Sequence, residues 1–139
     1  MSETLRILVC GSRDWTNREL LNKVLDSYKI RLGVIIEGEQ RGADIMSREW
    51  GDDNGIPVER FPAAWKTQHY AAGPIRNKRM LVEGKPDLVL AFHYDLEHSK
   101  GTKNMVEQAT KAGVPIVDVV RAIEKGELLP VEEEFKEGI

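Results

Sequence analysis

Short apolar runs alternate with longer amphipathic stretches along the chain. Each apolar run is bounded by Gly, Pro or polar residues, which is typical of a strand buried on both faces of a sheet. Strands are predicted at 5–10, 33–37, 57–61, 87–92 and 115–120. The 57–61 run is comparatively polar, which favours a position near an edge of the sheet.

Between these runs, apolar residues recur at spacings of three and four, which predicts helices. The predicted helices begin after Thr16, at Ala43, near residue 73 and at Gly101. Thr16 and Glu19 have the spacing of a capping box at the start of the first helix. In the fourth helix, Met105, Ala109 and Ala112 are predicted to face the core.

Strands that alternate with helices build βαβ units, and therefore a parallel sheet with right-handed crossovers. The pattern predicts a single α/β domain over residues 1–125. The segment 126–139 carries five glutamates and is predicted to be a weakly structured acidic tail or a short docking helix. In an open parallel sheet, ligands bind beyond the carboxyl ends of the strands, at the point where the strand order reverses.

The composition narrows the classes of function. The chain of 139 residues is 41% hydrophobic and 31% charged, as expected of one globular domain. Its formal net charge of -3 argues against broad nucleic-acid binding, which needs a basic face. The single cysteine, Cys10, excludes an internal disulfide and fits a reducing cytoplasm. We expect a cytoplasmic protein, because the sequence contains neither a signal-peptide pattern nor a run of about 20 apolar residues.

Unusual polar and glycine-containing clusters follow the predicted strands. They cover 11–15, 37–44, 62–77 and 93–102, and each lies at the carboxyl end of a strand. Because parallel strands bring these ends to one edge of the sheet, the clusters predict a single site there.

The first cluster has the features of a phosphate-binding turn. Gly11 allows the backbone to approach a ligand, Ser12 offers a hydroxyl, and Arg13 offers a planar guanidinium. An alternative is a tight turn with a solvated arginine. The chain contains neither the G-x-G-x-x-G fingerprint of dinucleotide folds nor a P-loop.

The second cluster contains two candidate catalytic carboxyl groups. Glu37 closes an apolar strand and is predicted to bind a ribose hydroxyl or to act as a general acid or base. Asp44 is predicted either to contact the ligand or to cap the second helix. The candidate binding residues of this cluster are Gly38, Arg41, Gly42 and Ala43.

The third cluster precedes and opens the third helix. Trp65, with His69 and Tyr70, is predicted to stack on a base or to fix the loop to the core. Gly73 lies near the helix start, where free N–H groups favour an anion. Arg76 is the residue we expect to hold the anion, and Asn77 follows it.

The fourth cluster offers another helix start, at Gly101 and Thr102, where Thr102 is predicted either to cap the helix or to contact phosphate. The preceding loop contains His93, Asp95 and His98, which are metal-ligand types, but their spacing matches no zinc site. We therefore predict a polar loop and no metal.

These segments together resemble one known family. In chain order they read V-C-G-S-R-D-W, G-x-x-R-G-A-D, F-P-A-x-W, A-A-G-P-I-R-N-x-x-M, P-D-L-V-L-A-F, K-G-T-x-N-M-V and A-G-V-P-I-V. This order, from about Arg6 to Val120, resembles the YspA or cpYpsA-related branch of the SLOG superfamily, whose small proteins occur in bacteria and phages. The superfamily also includes the DNA-processing protein DprA and the lonely-guy phosphoribohydrolases.

The resemblance implies a Rossmann-like three-layer α/β/α fold with a mainly parallel, doubly wound sheet, and a pocket for a nucleotide or a nucleotide derivative. By position, it implies that the pocket is lined by Gly11, Ser12, Arg13, Arg41 to Asp44, Gly73, Arg76, Asn77, Gly101 and Thr102. The lonely-guy enzymes carry P-G-G-x-G-T-x-x-E, whereas Met105 stands here at the position of their Glu. Their hydrolytic chemistry is therefore not transferred.

Three functions compete at this level. We prefer a module that senses or sequesters a nucleotide-like small molecule and needs no cofactor. The alternative is an enzyme that cleaves the N-glycosidic bond of a nucleoside monophosphate, with Glu37 or Asp44 in catalysis and Arg76 on the phosphate. A DprA-like binder of single-stranded DNA is least favoured because of the acidic charge. Homo-oligomerisation is left open.

Overall fold

A computed structural model describes residues 4–127 of the chain. Five strands and six α-helices alternate within this range. They are β1 (Leu5–Gly11), α1 (Arg18–Tyr28), β2 (Leu32–Glu37), α2 (Ala43–Asp53), β3 (Val58–Arg60), α3 (Trp65–Gln68), α4 (Ala72–Val82), β4 (Leu88–Phe92), α5 (Lys100–Lys111), β5 (Ile116–Asp118) and α6 (Val119–Glu124). Short 3₁₀ turns, His69–Ala71 and Leu96–His98, precede α4 and α5.

The strands form one parallel sheet in the order β3-β2-β1-β4-β5. The chain moves outward from β1 to β3 and then returns to place β4 on the other side of β1, where Val9 pairs with Leu90. The strand order therefore reverses between β1 and β4, which is the switch point of a doubly wound fold. The Rossmann-like α/β prediction is confirmed, as is the position of β3 at an edge.

Two hydrophobic cores cover the two faces of the sheet. Alternate residues of β1 point to opposite faces, so Ile7 and Val9 join one core whereas Leu8 and Cys10 join the other. The first core packs against α1, α2 and α6, and the second against α4 and α5. Each large apolar side chain buried in this way contributes roughly 1.5–3 kcal/mol to folding.

Three boundary predictions were wrong. Asn17, rather than Thr16, is the N-cap of α1, because its side chain lies where it can accept a hydrogen bond from the Leu20 N–H at 3.0 Å. The fifth strand ends at Asp118, since Val119 already begins α6. Ala112 is exposed because α5 ends at Lys111 and the chain turns away at Gly113, whose φ is 75°.

The predicted acidic tail, 126–139, lies almost entirely outside the described residues. Within residues 4–127, no helix combines the length and the apolar character that crossing a membrane requires.

Candidate functional site

A cavity of about 550 Å³ opens at the carboxyl ends of β1 and β4. We call it the main cavity. Its walls are the turn after β1 (residues 11–14), the segment before and at the start of α5 (97–102 and Asn104), the α3–α4 region (Trp65, Tyr70, Gly73, Pro74, Arg76) and Gln40. The cavity therefore lies at the switch point of the sheet, where an open α/β fold holds its ligands.

A second depression of about 390 Å³ adjoins it, and we call this the side cavity. The loop 38–41 after β2 and Pro62 and Ala63 after β3 line it. Arg13, Gln40, Trp65 and Arg76 line both cavities.

Most of the residues that the sequence singled out meet at these cavities. Eight line the main cavity, namely Gly11, Ser12, Arg13, Trp65, Gly73, Arg76, Gly101 and Thr102. Gly38 and Arg41 line only the side cavity. The five that line neither are Glu37, Gly42, Ala43, Asp44 and Asn77.

The turn after β1 is fixed by its own backbone. The Ser12 N–H donates to the Phe92 carbonyl at 2.9 Å, and the Ser12 hydroxyl accepts from the Asp14 N–H at 3.0 Å. A side chain on Gly11 would collide with the Phe92 carbonyl and the Ala43 methyl group. Gly11 therefore serves the packing of β1 against β4, while the turn presents Ser12 and Arg13 to the cavity.

The helix α5 points an open N-terminus at the main cavity. Ser99 occupies the N-cap position without a side-chain capping bond, and the first turn contains no acidic residue. The first N–H groups of a helix have no intrahelical acceptor and carry a partial positive charge. Thr102 was predicted either to cap the helix or to contact phosphate. It is not the cap, because it lies inside the first turn, where it is buried and lines the main cavity.

Lys100 adds a full positive charge at this helix start. Its side chain is exposed, and within residues 4–127 it forms no ion pair. Gly101 is next to it, and a methyl group added there would meet only the end of the Gln40 side-chain amide, at 4.0 Å. Packing therefore leaves room for a side chain at position 101. The residue there is nevertheless glycine, which makes a helix less stable than alanine does.

Aromatic side chains form the opposite wall. Trp65 is 47% exposed and Tyr70 is 99% exposed, which is unusual for large rings. The Arg13 guanidinium lies 5.9 Å from the centre of the Trp65 ring, in a cation–π contact. With the Gln40 amide oxygen turned toward Arg13, that oxygen accepts from Nη2 at 3.1 Å.

Arg76, the residue expected to hold an anion, is largely committed to the protein. Only 5% of it is exposed; its Nη1 donates to the Gly38 carbonyl at 2.5 Å and its Nε donates to Asn77 Oδ1 at 3.0 Å. The Asn77 amide donates in turn to the Gly101 carbonyl at 3.3 Å and to Asn104 at 3.1 Å. The pair therefore ties the loop after β2 to the start of α5.

The two carboxyl groups proposed for catalysis are buried away from both cavities. Glu37 is fully buried; its Oε1 accepts from the Glu39 N–H at 2.7 Å, and its Oε2 has no partner within residues 4–127. Burial, with the nearby Glu39 side chain, raises the pKa of Glu37 to about 9. This group is therefore protonated at neutral pH.

Asp44 does not cap α2, whose N-cap is Gly42. Its Oδ2 accepts instead from the Gly38 and Gln40 N–H groups, at 3.1 and 3.4 Å, and so shapes the loop 38–40. Burial raises the pKa of Asp44 to about 7, although the charge of Arg76 acts in the opposite direction.

The candidate metal ligands of the 93–98 loop are scattered. His93 is buried 3.2 Å from Asp118, whereas His98 pairs with Asp95 on the surface. In the part of the chain that the structure describes, no group of three or more His, Cys, Asp or Glu side chains could hold a metal ion. Burial raises the pKa of Cys10, so this thiol is inert.

Sequence reasoning missed several residues of the main cavity. Lys100, Gln40 and Asp14 line it although none was selected. Each lies inside a cluster that was recognised, so the signal was present at the level of the segment. The direction of each side chain depends on how the loops pack, which spacing along the chain does not encode.

Comparison with known proteins agrees with this architecture. The structure of DNA processing protein A (DprA) from Streptococcus pneumoniae superposes with a TM-score of 0.64 at 18% identity, over 97% of this chain and 57% of that one. The chain thus spans little more than half of DprA, and the likeness is one of fold. Glycinamide ribonucleotide transformylase 1 from Symbiobacterium toebii overlaps at a TM-score of 0.40 and 21% identity, over 66% of this chain and 42% of that one, which is too low to establish a shared fold.

At the level of sequence, residues 5–68 match the model of the YspA, cpYpsA-related SLOG family. The Gene 61 protein of Mycobacterium phage D29 is 31% identical over 121 residues, which cover 81% of this chain and 94% of that protein. The chain therefore belongs to the YspA, cpYpsA-related SLOG family.

Proposed function

We propose that the protein binds a phosphorylated nucleoside or a related nucleotide derivative in the main cavity, and that it senses or sequesters this ligand. The observation that carries the proposal is the uncapped N-terminus of α5, which faces the cavity together with Lys100, a residue that has no ion-pair partner within 4–127. Membership of a SLOG family supports a nucleotide-related binding role.

Four kinds of donor are available to the phosphate of the ligand. Free N–H groups of α5 supply oriented hydrogen bonds, Lys100 supplies a compact charge, and Arg13 supplies a planar guanidinium. Ser12 adds a hydroxyl whose oxygen already accepts from Asp14, which leaves its proton free for an acceptor. These groups favour a dianionic phosphate over a neutral ligand.

The part of the main cavity that would contact the nucleoside is formed by the exposed rings of Trp65 and Tyr70. Burying part of Trp65 and Tyr70 against a base would remove apolar surface from water and add stacking energy. The volume of about 550 Å³ falls within the range of small-molecule sites, about 300–1,000 Å³.

The hydrolase alternative has less support. The carboxyl groups proposed for it, Glu37 or Asp44, line neither cavity, and Glu37 is protonated at neutral pH. The carboxyl groups that do line the main cavity, Asp14 and Glu97, are exposed and form surface ion pairs with Arg41 and Lys103. We therefore expect binding without turnover.

The proposal is tested by calorimetric titration with AMP and adenosine. We expect AMP to bind with a Kd below about 1 mM and adenosine to bind at least about tenfold more weakly, because a charge-assisted contact contributes about 1.5–3 kcal/mol. Lys100→Ala should weaken AMP binding about five- to tenfold. Lys111→Ala is the matched control, because Lys111 is exposed at the other end of the same helix.

Two results would contradict the proposal. One is the absence of AMP binding at several millimolar; the other is an equal effect of Lys100→Ala and Lys111→Ala. Chromatography of AMP after long incubation separates the two functions, because release of adenine that Glu37→Gln abolishes would favour the hydrolase instead.

A further inference from the structure

The side cavity continues the main cavity along the carboxyl edge of the sheet. The main cavity follows β1 and β4, and the side cavity follows β2 and β3. Because neighbouring strands lie about 4.8 Å apart, the centres of these two strand pairs are roughly 10 Å apart. Four shared side chains form the boundary between the cavities, so one groove crosses four strands.

The side cavity is basic. Arg13 and Arg41 line it together with the largely committed Arg76, and among the described residues Glu39 is the one carboxylate in its lining. The Glu39 charge is already balanced, since Arg48 Nε lies 3.2 Å from Glu39 Oε2. The arrangement therefore suits a second anionic group.

Arg41 is the guanidinium in this cavity that is freest to change partner. Its side chain is 75% exposed and pairs with the 89% exposed Asp14 at 3.4 Å. An ion pair this exposed contributes little to stability, typically about 0–1 kcal/mol. A phosphate can therefore replace Asp14 as the partner of Arg41 at a small cost in free energy. Asp14 lines the main cavity and Arg41 the side cavity, so this pair spans the boundary.

The boundary itself offers a stacking surface. Trp65 lines both cavities with Arg13 against its ring, and Gln40 hydrogen bonds to the same guanidinium. A ligand that crosses the boundary would pass beside an indole and a guanidinium plane, which are the surfaces on which nucleobases stack.

We infer that the ligand class is a linear dinucleotide with a 5′-phosphate, one nucleotide unit in each cavity. This inference rests on the proposed function, because the first unit occupies the main cavity. The 5′-phosphate lies at the α5 N-terminus with Lys100, and the second nucleotide unit presents its phosphodiester to Arg41.

The test compares AMP with the dinucleotide pApA in calorimetric titrations of the full chain. We expect the wild type to bind pApA at least about tenfold more tightly than AMP. Arg41→Ala should reduce this preference to below about threefold, whereas Lys100→Ala should weaken both ligands. Arg31→Ala is the matched control, since Arg31 is exposed and precedes β2 at the opposite edge of the sheet.

The possible outcomes distinguish a failure of the dinucleotide inference from a failure of the proposed function. If AMP binds but pApA is not preferred, or if Arg41→Ala leaves the preference intact, the dinucleotide inference is wrong and the proposed function stands. If neither ligand binds, the proposed function fails and the inference with it. Urea unfolding of each variant verifies that the protein folds.

Discussion

At the scale of residues, burial changes the roles that a sequence suggests. Glu37 ends an apolar strand, and from the sequence this position favoured a ligand or a catalytic base. In the structure its carboxyl group is fully buried, and the pKa of Glu37 is raised to about 9. Arg76 was expected to hold an anion; it lines both cavities, but its Nη1 and Nε already donate to Gly38 and Asn77. Burial therefore removes Glu37 from the site, and these hydrogen bonds limit how Arg76 can reach a ligand.

The raised pKa of Glu37 predicts how stability depends on pH. Above pH 4.5 the unfolded chain loses this proton, whereas the native state keeps it up to about pH 9, so stability falls as pH rises through this range. Glu37→Gln mimics the protonated carboxyl group, so the variant should not lose stability at this position as pH rises. We expect the variant to be more stable than the wild type at pH 8 by at least about 1 kcal/mol, and about equal to it at pH 4.5.

Urea unfolding at several pH values between 4.5 and 9 measures this difference. Asp44, whose pKa is raised to about 7, contributes a similar loss between pH 3.8 and 7 in both proteins, so the interval above pH 7 isolates Glu37. Glu107→Gln, at an exposed position on α5, is the control. An advantage of Glu37→Gln that does not grow with pH would show that this carboxyl group ionises normally.

At the scale of elements, two helix starts that look alike in sequence differ in what they offer. The start of α4 was expected to bind an anion. Both starts follow a 3₁₀ turn, lack a side-chain cap and line the main cavity. In α4, however, the Ala72 N–H donates to the His69 carbonyl and Pro74 has no N–H, so this start offers fewer free donors than that of α5. A helix dipole is available to a ligand only where the first turn is open.

One substitution at the open start of α5, Gly101→Ala, should therefore raise the stability of the protein and lower its affinity for AMP. Gly101→Ala adds a methyl group where the fold leaves space, so it should stabilise the helix by roughly 0.5 kcal/mol. The same methyl group would narrow the approach to the N–H groups of the first turn, and AMP affinity should fall at least about threefold. Urea unfolding and calorimetry on the same samples measure the two effects.

Thr110→Ala is the matched control, because it raises helix propensity at an exposed position of α5 that does not line either cavity. If Gly101→Ala and Thr110→Ala bind AMP equally, the α5 N-terminus does not contact the ligand.

At the scale of the whole molecule, the sheet order and the charge act together. The order β3-β2-β1-β4-β5 brings residues 11–14 and 97–102 to one cavity, although more than 80 positions separate them along the chain. The formal net charge of -3 gives the chain as a whole no excess of positive charge, whereas Arg13, Arg41 and Lys100 lie at this edge. A local basic groove suits a small anion, whereas a long polyanion needs an extended basic face.

We therefore expect no binding of a 30-nucleotide single-stranded DNA at 0.15 M salt and about 10 µM protein. A mobility-shift assay measures this, with a second series at about 0.02 M salt, because weak phosphate contacts strengthen as salt falls. A salt-dependent complex at 0.15 M would contradict the prediction and revive a DNA-binding function.

The sequence by itself determined the five strands and four of the six helices within residues 4–127, and the class of fold; it did not predict the short helices α3 and α6. Periodicity is local, so the alternation of five apolar runs with amphipathic segments predicted the α/β sheet. Clusters of glycine and polar residues after four of the five strands predicted the edge that holds the site. Helix limits were less certain, since Asn17 and Thr16 both carry capping groups and only the backbone path selects one of them.

Only the tertiary structure decided which of these residues face the ligand. Lys100 lines the main cavity and Arg41 lines the side cavity, whereas Glu37 and Asp44 are buried and line neither. The physical reason is that the direction and solvation of a side chain follow from the packing of loops that are distant in sequence. Sequence patterns therefore identify the segments that form a site, whereas the tertiary structure decides which of their side chains line it.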